Sequence, residues 1–243
     1  MKKLLTIISL GIFLISGLNA QDAHGLLAKL DNIMFSPKDK QGIIAIVLVD
    51  KDGEEKAREA EMFQKGRDKK LYRYTKPEKQ AGTATLSLPG GVMWLYLPAF
   101  GNPKKITLLA KSQSFTGTDF SYEDMATEPW SERFFPRLAE TREDAFILEL
   151  TPRGDKSSYS KVIVTQDKTN FYPIKMEYYD KGGKKFKEST YKYEKIGKYW
   201  NAKEVIMTNI KKKHSTKIQL KDVIFDQGLS DDVFTVENLK PKE

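Results

Sequence analysis

The spacing of apolar and polar residues predicts one helix at the start of the chain, followed by a long series of strands. Between Asp22 and Met34, the apolar residues Leu26, Leu30 and Ile33 recur at helical spacing. The dipeptide Ser36-Pro37 then ends the pattern. Because the polar face of this helix is not strongly basic, we expect it to pack on a sheet and not on a membrane surface.

After this helix the apolar pattern takes the period of strands. Leu86 and Leu88 alternate with Thr85 and Ser87, for example, and turns rich in Gly, Asp and Pro separate the runs. Short strands at this regular spacing predict an antiparallel sheet or barrel. The predicted strands are residues 42–49, 58–63, 70–74, 83–88, 92–97, 104–110, 146–150, 159–164, 174–179, 185–193, 203–208 and 216–225.

The run of strands contains no low-complexity linker and no internal repeat, which predicts a single domain. Residues 127–142 form the least regular segment, and we interpret them as a lid or a crossover loop. Trp94 to Leu97 is apolar on both faces of its strand. Either a second layer covers each face, or one face stays available for an apolar ligand, and the periodicity does not separate these alternatives.

The first 20 residues have the pattern of a secretory signal peptide. Lys2 and Lys3 precede the apolar run Leu4 to Leu18, and the small residue Ala20 offers a cleavage point. The run is shorter than the about 20 residues that span a bilayer. We therefore expect residues 1–20 to be removed and residues 21–243 to form an exported domain. The chain has no cysteine, so this domain carries neither a disulfide nor a lipidated cysteine.

The formal net charge of +8 raises the question of a nucleic-acid partner. The densest basic clusters are Lys211 to Lys213 and Lys104-Lys105, and neither belongs to a recognisable binding motif. We interpret most lysines as solvated surface and expect no nucleic acid. The alternative is that some of them orient the protein on anionic lipid headgroups.

The sequence offers little for catalysis. Of two histidines, only His214 lies well inside the predicted domain, and no G-x-S-x-G motif accompanies it. The adjacent acids Glu123 and Asp124 fit a helical turn capped by Asp119 or Ser121 better than a pair of catalytic carboxyls. Motifs for metal or phosphate binding are missing from the sequence. We expect a protein that is not an enzyme and that has no metal and no cofactor.

Several sequence blocks are nevertheless specific. Trp94-Leu-Tyr-Leu-Pro98 is followed by the pair Lys104-Lys105 and then by Gly117-Thr-Asp-Phe-Ser-Tyr-Glu-Asp124. Pro173 to Lys184 and Asp231 to Phe234 follow in the same order as in a known family. The chain resembles the LolA-like family of outer-membrane lipoprotein-sorting proteins. The match is to the larger LolA-like group and not closely to its founding carrier.

The resemblance implies a mainly β fold, a single-domain incomplete antiparallel β-barrel (a half-barrel) with an N-terminal helix and short covering helices around an apolar cavity. It implies a periplasmic carrier that binds acyl chains of lipoproteins or lipids and delivers them towards the outer membrane without covalent chemistry. The implied partners are an acylated lipoprotein or lipid cargo, an inner-membrane transporter and an outer-membrane acceptor, with the carrier a monomer. The alternative is a non-catalytic accessory binding module of an envelope export complex.

Alternation along the strands predicts which residues of such a fold face the cavity. A one-residue register error would reverse the faces of any strand. The predicted cavity residues are Leu86, Leu88, Leu95, Leu97, Phe146, Leu148, Ile174 and Met176, and the predicted rim consists of Phe115, Phe120 and Tyr122.

Overall fold

A computed structural model describes residues 18–107 and 109–240 as two helices and thirteen strands. Residues 1–17 of the predicted signal peptide lie outside the described residues, and Leu18 begins the first helix. No helix in the described part of the chain has the length and apolar character needed to cross a membrane. In chain order the elements are α1 (Leu18–Phe35), β1 (Asp39–Val49), β2 (Glu55–Lys65), β3 (Lys69–Lys76), β4 (Ala84–Leu88), β5 (Val92–Tyr96), β6 (Lys104–Lys105), α2 (Trp130–Arg133), β7 (Phe134–Thr141), β8 (Ala145–Pro152), β9 (Lys161–Asp167), β10 (Pro173–Tyr179), β11 (Lys185–Ile196), β12 (Tyr199–Asn209) and β13 (His214–Phe225).

The strands form one antiparallel sheet that curls without closing. Its order is β6-β5-β4-β3-β2-β1-β13-β12-β11-β10-β9-β8-β7, so that β1 and β13 join the two halves of the chain. Strands β6 and β7 are the two edges of the sheet. The predicted mainly β fold, an incomplete antiparallel barrel with an N-terminal helix, is confirmed.

Two predictions on local structure are wrong. The strand predicted at 104–110 is reduced to Lys104–Lys105. The segment 127–142, predicted to be irregular, contains α2 and the edge strand β7. Pro136 lies within β7, and an edge strand tolerates proline because one side of its backbone needs no ladder hydrogen bond.

Helix α1 covers part of one face of the sheet, which we call the inner face. The apolar stripe Ala23, Leu26, Leu27 and Leu30 is buried there in one core cluster with side chains of β7 to β12. Burial of each leucine contributes about 1.5–3 kcal/mol. At the end of α1, the carboxylate of Asp31 accepts hydrogen bonds from the backbone N–H groups of Trp130 (2.8 Å) and Ser131 (3.0 Å) and so ties α1 to α2.

The C-terminal residues cover the opposite, outer face of the sheet at β3 to β5. Phe234 and Leu239 are buried there against Leu71, Leu86 and Tyr96. The strand β5 therefore packs on both faces, since Met93 belongs to the core on the inner face. Of the two alternatives for Trp94 to Leu97, the structure shows a second layer on each face.

Residues 109–129, the covering segment, lie over the inner face beside α1. Phe115, Phe120 and Tyr122 are buried between this segment and the sheet. The segment contains the predicted capped turn, in which the backbone N–H of Asp124 donates to Ser121 Oγ at 3.2 Å. Asp119, the other predicted cap, contacts the sheet instead. Its carboxylate accepts a hydrogen bond from Thr216 Oγ1 of β13 at 2.7 Å.

Candidate functional site

A cavity of about 200 Å³ lies between the inner face of the sheet, the end of α1 and the covering segment. Its walls are largely apolar and aromatic, which is typical of sites for small apolar ligands. The aliphatic and methionine side chains include Ile44, Met62, Val205, Ile218 and Leu220, and the aromatic ones include Tyr72, Phe120, Tyr178, Tyr191, Tyr193 and Trp200.

Strand register brings these walls together. Ile44 of β1 pairs with Leu220 of β13, and Ile218 of β13 pairs with Val205 of β12. Residues paired across antiparallel strands point to the same face. The alternation within each strand therefore collects apolar side chains on the inner face.

The cavity reaches the surface beside the C-terminal end of α1. Met34 and Phe35 line it there, and Met34 is 37% exposed although it is apolar. Phe225 at the end of β13 lines the cavity as well. An apolar molecule could enter at this point, between α1 and the sheet.

One end of the cavity is polar. Lys40 of β1 pairs with Gln64 of β2, which pairs with Lys70 of β3, and all three side chains line the cavity. Burial lowers the pKa of Lys40 to about 8. Burial, with the nearby charge of Lys40, also lowers the pKa of Lys70 to about 8.

The wall formed by β10 and β11 is held by hydrogen bonds to sulfur. The hydroxyl groups of Tyr178 and Tyr191 both donate to Met176 Sδ at 3.5 Å. Burial raises the pKa of both tyrosines, so they are neutral at physiological pH. Their rings therefore present an uncharged surface to the cavity.

A buried ion pair fixes the covering segment to the sheet next to the cavity. Lys187 of β11 and Asp124 bind each other, and their side chains are 4% and 3% exposed. The hydroxyl of Tyr159 donates to the same carboxylate, and the Lys187 ammonium lies 4.9 Å from the ring centroid of Tyr178. Burial opposes ionisation of Asp124, but the charge and hydrogen bond of Lys187 hold its pKa below the usual value.

The neighbouring acid Glu123 makes a second anchor. It accepts a hydrogen bond from the backbone N–H of Ser158 at 2.9 Å and lies 3.6 Å from Arg133 of α2. The two adjacent carboxylates thus hold the covering segment to different partners. This arrangement agrees with the prediction that they do not face one another as a catalytic pair.

His214 has a partner of its own. Its Nδ1 lies 2.6 Å from Asp119 Oδ2, so the histidine joins the start of β13 to the covering segment. Among the residues that the structure describes, no group of three or more His, Asp or Glu side chains could hold a metal ion.

The predicted cavity residues fall in several places. Phe120 of the predicted rim lines the cavity, whereas Phe115 and Tyr122 form core contacts, with their ring centroids 5.3 Å apart. Leu95 and Leu97 line a separate pocket with Tyr122 on the inner face. Leu148 and Met176 are fully buried in the inner-face core, and Phe146 is packed at its margin.

Three predicted positions require correction. Leu86 pairs with Trp94 on the outer face and is buried under the C-terminal residues, and Leu88 packs against the same cluster. The prediction put β4 one residue out of phase with the cavity. At Ile174, a register shift between Pro173 and Lys175 interrupts the alternation, so that Ile174 does not belong to the inner-face core with Met176.

Several cavity residues were not predicted. Ile44 and Ile218 lie in strands that the apolar pattern does locate, and pairing of β1 with β13 would have pointed to them. Lys40 and Lys70 carry no such signal, because lysines near strand ends usually lie on a solvated face.

Comparison with known proteins agrees with the fold and the motifs. A family model described as "Uncharacterized protein" matches residues 66–241, more than half of the chain. The structure of an outer membrane lipoprotein-sorting protein domain from Vibrio parahaemolyticus is 29% identical, with a TM-score of 0.85, covering 92% of this chain and 100% of that one. A LolA superfamily protein from Nitrosomonas europaea is 26% identical, with a TM-score of 0.74, covering 88% of this chain and 97% of the other.

A third solved structure, a DUF1329 family protein from Desulfovibrio piger, has a TM-score of 0.85 at 24% identity, covering 91% of this chain and 99% of that chain, and supports the fold alone. No curated protein matches the chain in sequence. The fold and the cavity define a half-barrel of the carrier type. The chain belongs to the LolA-like family, as its sequence motifs predicted.

Proposed function

We propose that the protein is a periplasmic carrier that binds acyl chains of lipoproteins or lipids in its cavity and delivers them towards the outer membrane. The observation that supports this most directly is the apolar, aromatic-walled cavity that reaches the surface beside Met34 and Phe35. In this proposal residues 1–20 direct export and residues 21–243 form the carrier. Transport involves no covalent chemistry.

The energetics of acyl chains favour a cavity as the carrying device. Each CH₂ group costs about 0.8 kcal/mol to leave in water. A lysine near an anionic membrane contributes only about 1 kcal/mol, so surface charge alone does not shield a chain of many CH₂ groups. The chain must therefore be enclosed.

The size of the cavity implies that the carrier opens. Its volume of about 200 Å³ is below the about 300–1,000 Å³ of typical ligand sites. A long acyl chain requires α1 and the covering segment to separate from the sheet. The contacts that would have to yield include the hydrogen bonds between Asp31 and the start of α2.

A cavity-filling substitution tests the proposal. Ala202 lines the cavity on β12, and Ala202→Trp should fill part of it. We expect at least tenfold weaker binding of a fluorescent fatty acid, measured by titration, because overpacking excludes the chain. The control is Ala57→Trp, an exposed position on β2 that pairs with Val47, away from the cavity.

Wild-type affinity in Ala202→Trp, with the fold preserved by circular dichroism, would show that acyl chains do not bind in this cavity. Loss of binding in both variants would point to a general loss of structure. The expected pattern is loss in Ala202→Trp alone.

An accessory binding module is the second proposed function, and an exposed aromatic residue favours it. Phe135 on the edge strand β7 is 51% exposed, with the Arg153 guanidinium 4.1 Å from its ring centroid. This surface suits a partner protein better than Phe115 or Tyr122, which are buried. A photo-crosslinking amino acid at position 135 should capture an envelope protein in cells if the module proposal holds. Absence of any crosslink from that position would count against it.

A further inference from the structure

The polar end of the cavity is built from one cross-strand row. Lys40, Gln64 and Lys70 are direct neighbours on β1, β2 and β3 and point to the inner face. Directly paired side chains on adjacent strands have their Cβ atoms about 4.5–5.5 Å apart. Two ammonium groups and one amide are therefore brought together at the same end of one cavity.

The next rows on the same face are apolar. Gly42, Met62 and Tyr72 form the adjacent row on this face, each two residues away from the first row on its own strand. Because a strand rises about 3.3 Å per residue, this row lies about 7 Å from the lysines. The inner face thus changes from cationic to apolar over the length of a few CH₂ groups.

The two ammonium groups lack protein partners. Within the described ranges 18–107 and 109–240, no carboxylate lies within 4.0 Å of either one. Asp124 also lines the cavity, but it is bound to Lys187. Glu128, the other acid that lines it, lies 3.9 Å from Lys111.

Such an arrangement destabilises the empty protein. Burial disfavours the positive charge of both lysines and lowers both pKa values, and the nearby charge of Lys40 adds to the lowering at Lys70. The neighbouring Lys69, by contrast, points the other way and binds Asp231 at 2.9 Å. A negatively charged ligand between Lys40 and Lys70 would supply the missing partner.

We infer that the row Lys40, Gln64 and Lys70 binds the anionic headgroup, a phosphate or a carboxylate, of an amphiphile whose acyl chain lies in the apolar part of the cavity. This inference rests on the proposed carrier function and narrows its cargo to chains that end in an anion. The two ammonium groups provide donors for several headgroup oxygens, and the Gln64 amide adds one N–H, since its other N–H donates to the Gly66 carbonyl at 3.3 Å.

Three ligands separate the contributions of chain and charge. Lysophosphatidic acid and a monoacylglycerol of the same chain length differ in the phosphate, and inorganic phosphate lacks the chain. By isothermal titration calorimetry at pH 7, the wild-type protein should bind lysophosphatidic acid at least tenfold more tightly than the monoacylglycerol. Inorganic phosphate alone should bind much more weakly than either.

Substitutions identify the residues. Lys40→Met and Lys70→Met keep an aliphatic side chain, and each should weaken binding of lysophosphatidic acid about tenfold while leaving the monoacylglycerol unchanged. The matched control is Lys69→Met, which removes the adjacent lysine on the outer side and should leave both affinities unchanged.

Equal affinity of the wild-type protein for the two lipids would overturn the headgroup inference and leave the carrier proposal intact. Failure to bind either lipid would overturn the carrier proposal itself. Tight binding of inorganic phosphate, with no gain from the acyl chain, would show a site for free anions and would also overturn the headgroup inference.

Discussion

The ion pair between Lys187 and Asp124 determines how firmly the covering segment is held, and Lys187→Met tests this. Both side chains are almost completely buried, at 4% and 3% exposure. Removing one partner of a buried pair leaves the other charge uncompensated and costs about 3–5 kcal/mol. We therefore expect Lys187→Met to lower the free energy of unfolding by about that amount, with a fall in Tm of roughly 6–20 °C for a domain of this size.

Urea denaturation followed by tyrosine and tryptophan fluorescence measures the effect, and a surface pair on the same strand provides the control. Lys192 lies 2.7 Å from Glu204 but is 75% exposed, so Lys192→Met should cost less than about 1 kcal/mol. The double variant Lys187→Met with Asp124→Asn should be less destabilised than the sum of the single variants, because both charges are removed together. A cost below about 1 kcal/mol for Lys187→Met would refute the idea that this pair anchors the segment.

The same pair predicts a response to acid. Lys187 holds the pKa of Asp124 below the usual value, so the pair contributes stability above the unfolded pKa. That contribution is lost as the pH falls through the lowered, folded-state pKa. In Lys187→Met the remaining burial should raise the pKa of Asp124 above its unfolded value, so the variant should recover part of its lost stability as the pH falls and Asp124 is protonated.

Three further predictions concern the core, the α1–α2 contact and the cavity lysines. Leu148→Ala should lower the free energy of unfolding by about 2–5 kcal/mol, measured with urea, because the side chain is fully buried in the inner-face core, whereas half-buried Leu95→Ala should cost less. Asp31→Ala should cost about 1–3 kcal/mol in the same assay because two backbone N–H groups of α2 lose their acceptor. Between pH 8 and 10.5, where Lys40 and Lys70 release protons in the folded protein before the unfolded one, stability should rise with pH, and a flat profile in the wild-type protein would contradict the lowered pKa values.

The sequence predicted the strands well because most of them are covered on one face, so the period-two pattern was visible. The edge strand β7 was not predicted, because it contains Pro136 and because apolar and polar residues alternate only weakly along it. A proline argues against a central strand, and edge position is a property of the whole sheet that local pattern does not show.

The faces of β4 and β5 were harder to assign than their positions. Both strands are short and carry apolar residues on each face, since the C-terminal residues cover one side and the covering segment the other. Alternation then has no polar face to mark the outside. The pairing of Thr85 with Leu95, which puts Leu86 on the opposite face, depends on the turn between the strands.

The polar parts of the site depend on contacts between residues far apart in the chain. Lys187 and Asp124 are 63 residues apart, and the sequence shows each only as a charged residue in a polar stretch. Lys40 and Lys70 meet only because β2 lies between their strands. These lysines face a cavity and not water because of how the three strands pair, and no single segment of the sequence shows that pairing.

Native mass spectrometry of the exported protein, purified without detergent and followed by lipid extraction, tests the carrier proposal most directly. We predict a co-purifying amphiphile at a one-to-one ratio, with an acyl chain and an anionic headgroup, which is lost in Ala202→Trp. A ligand-free mass, together with no uptake of added lysophosphatidic acid or fatty acid, would contradict it.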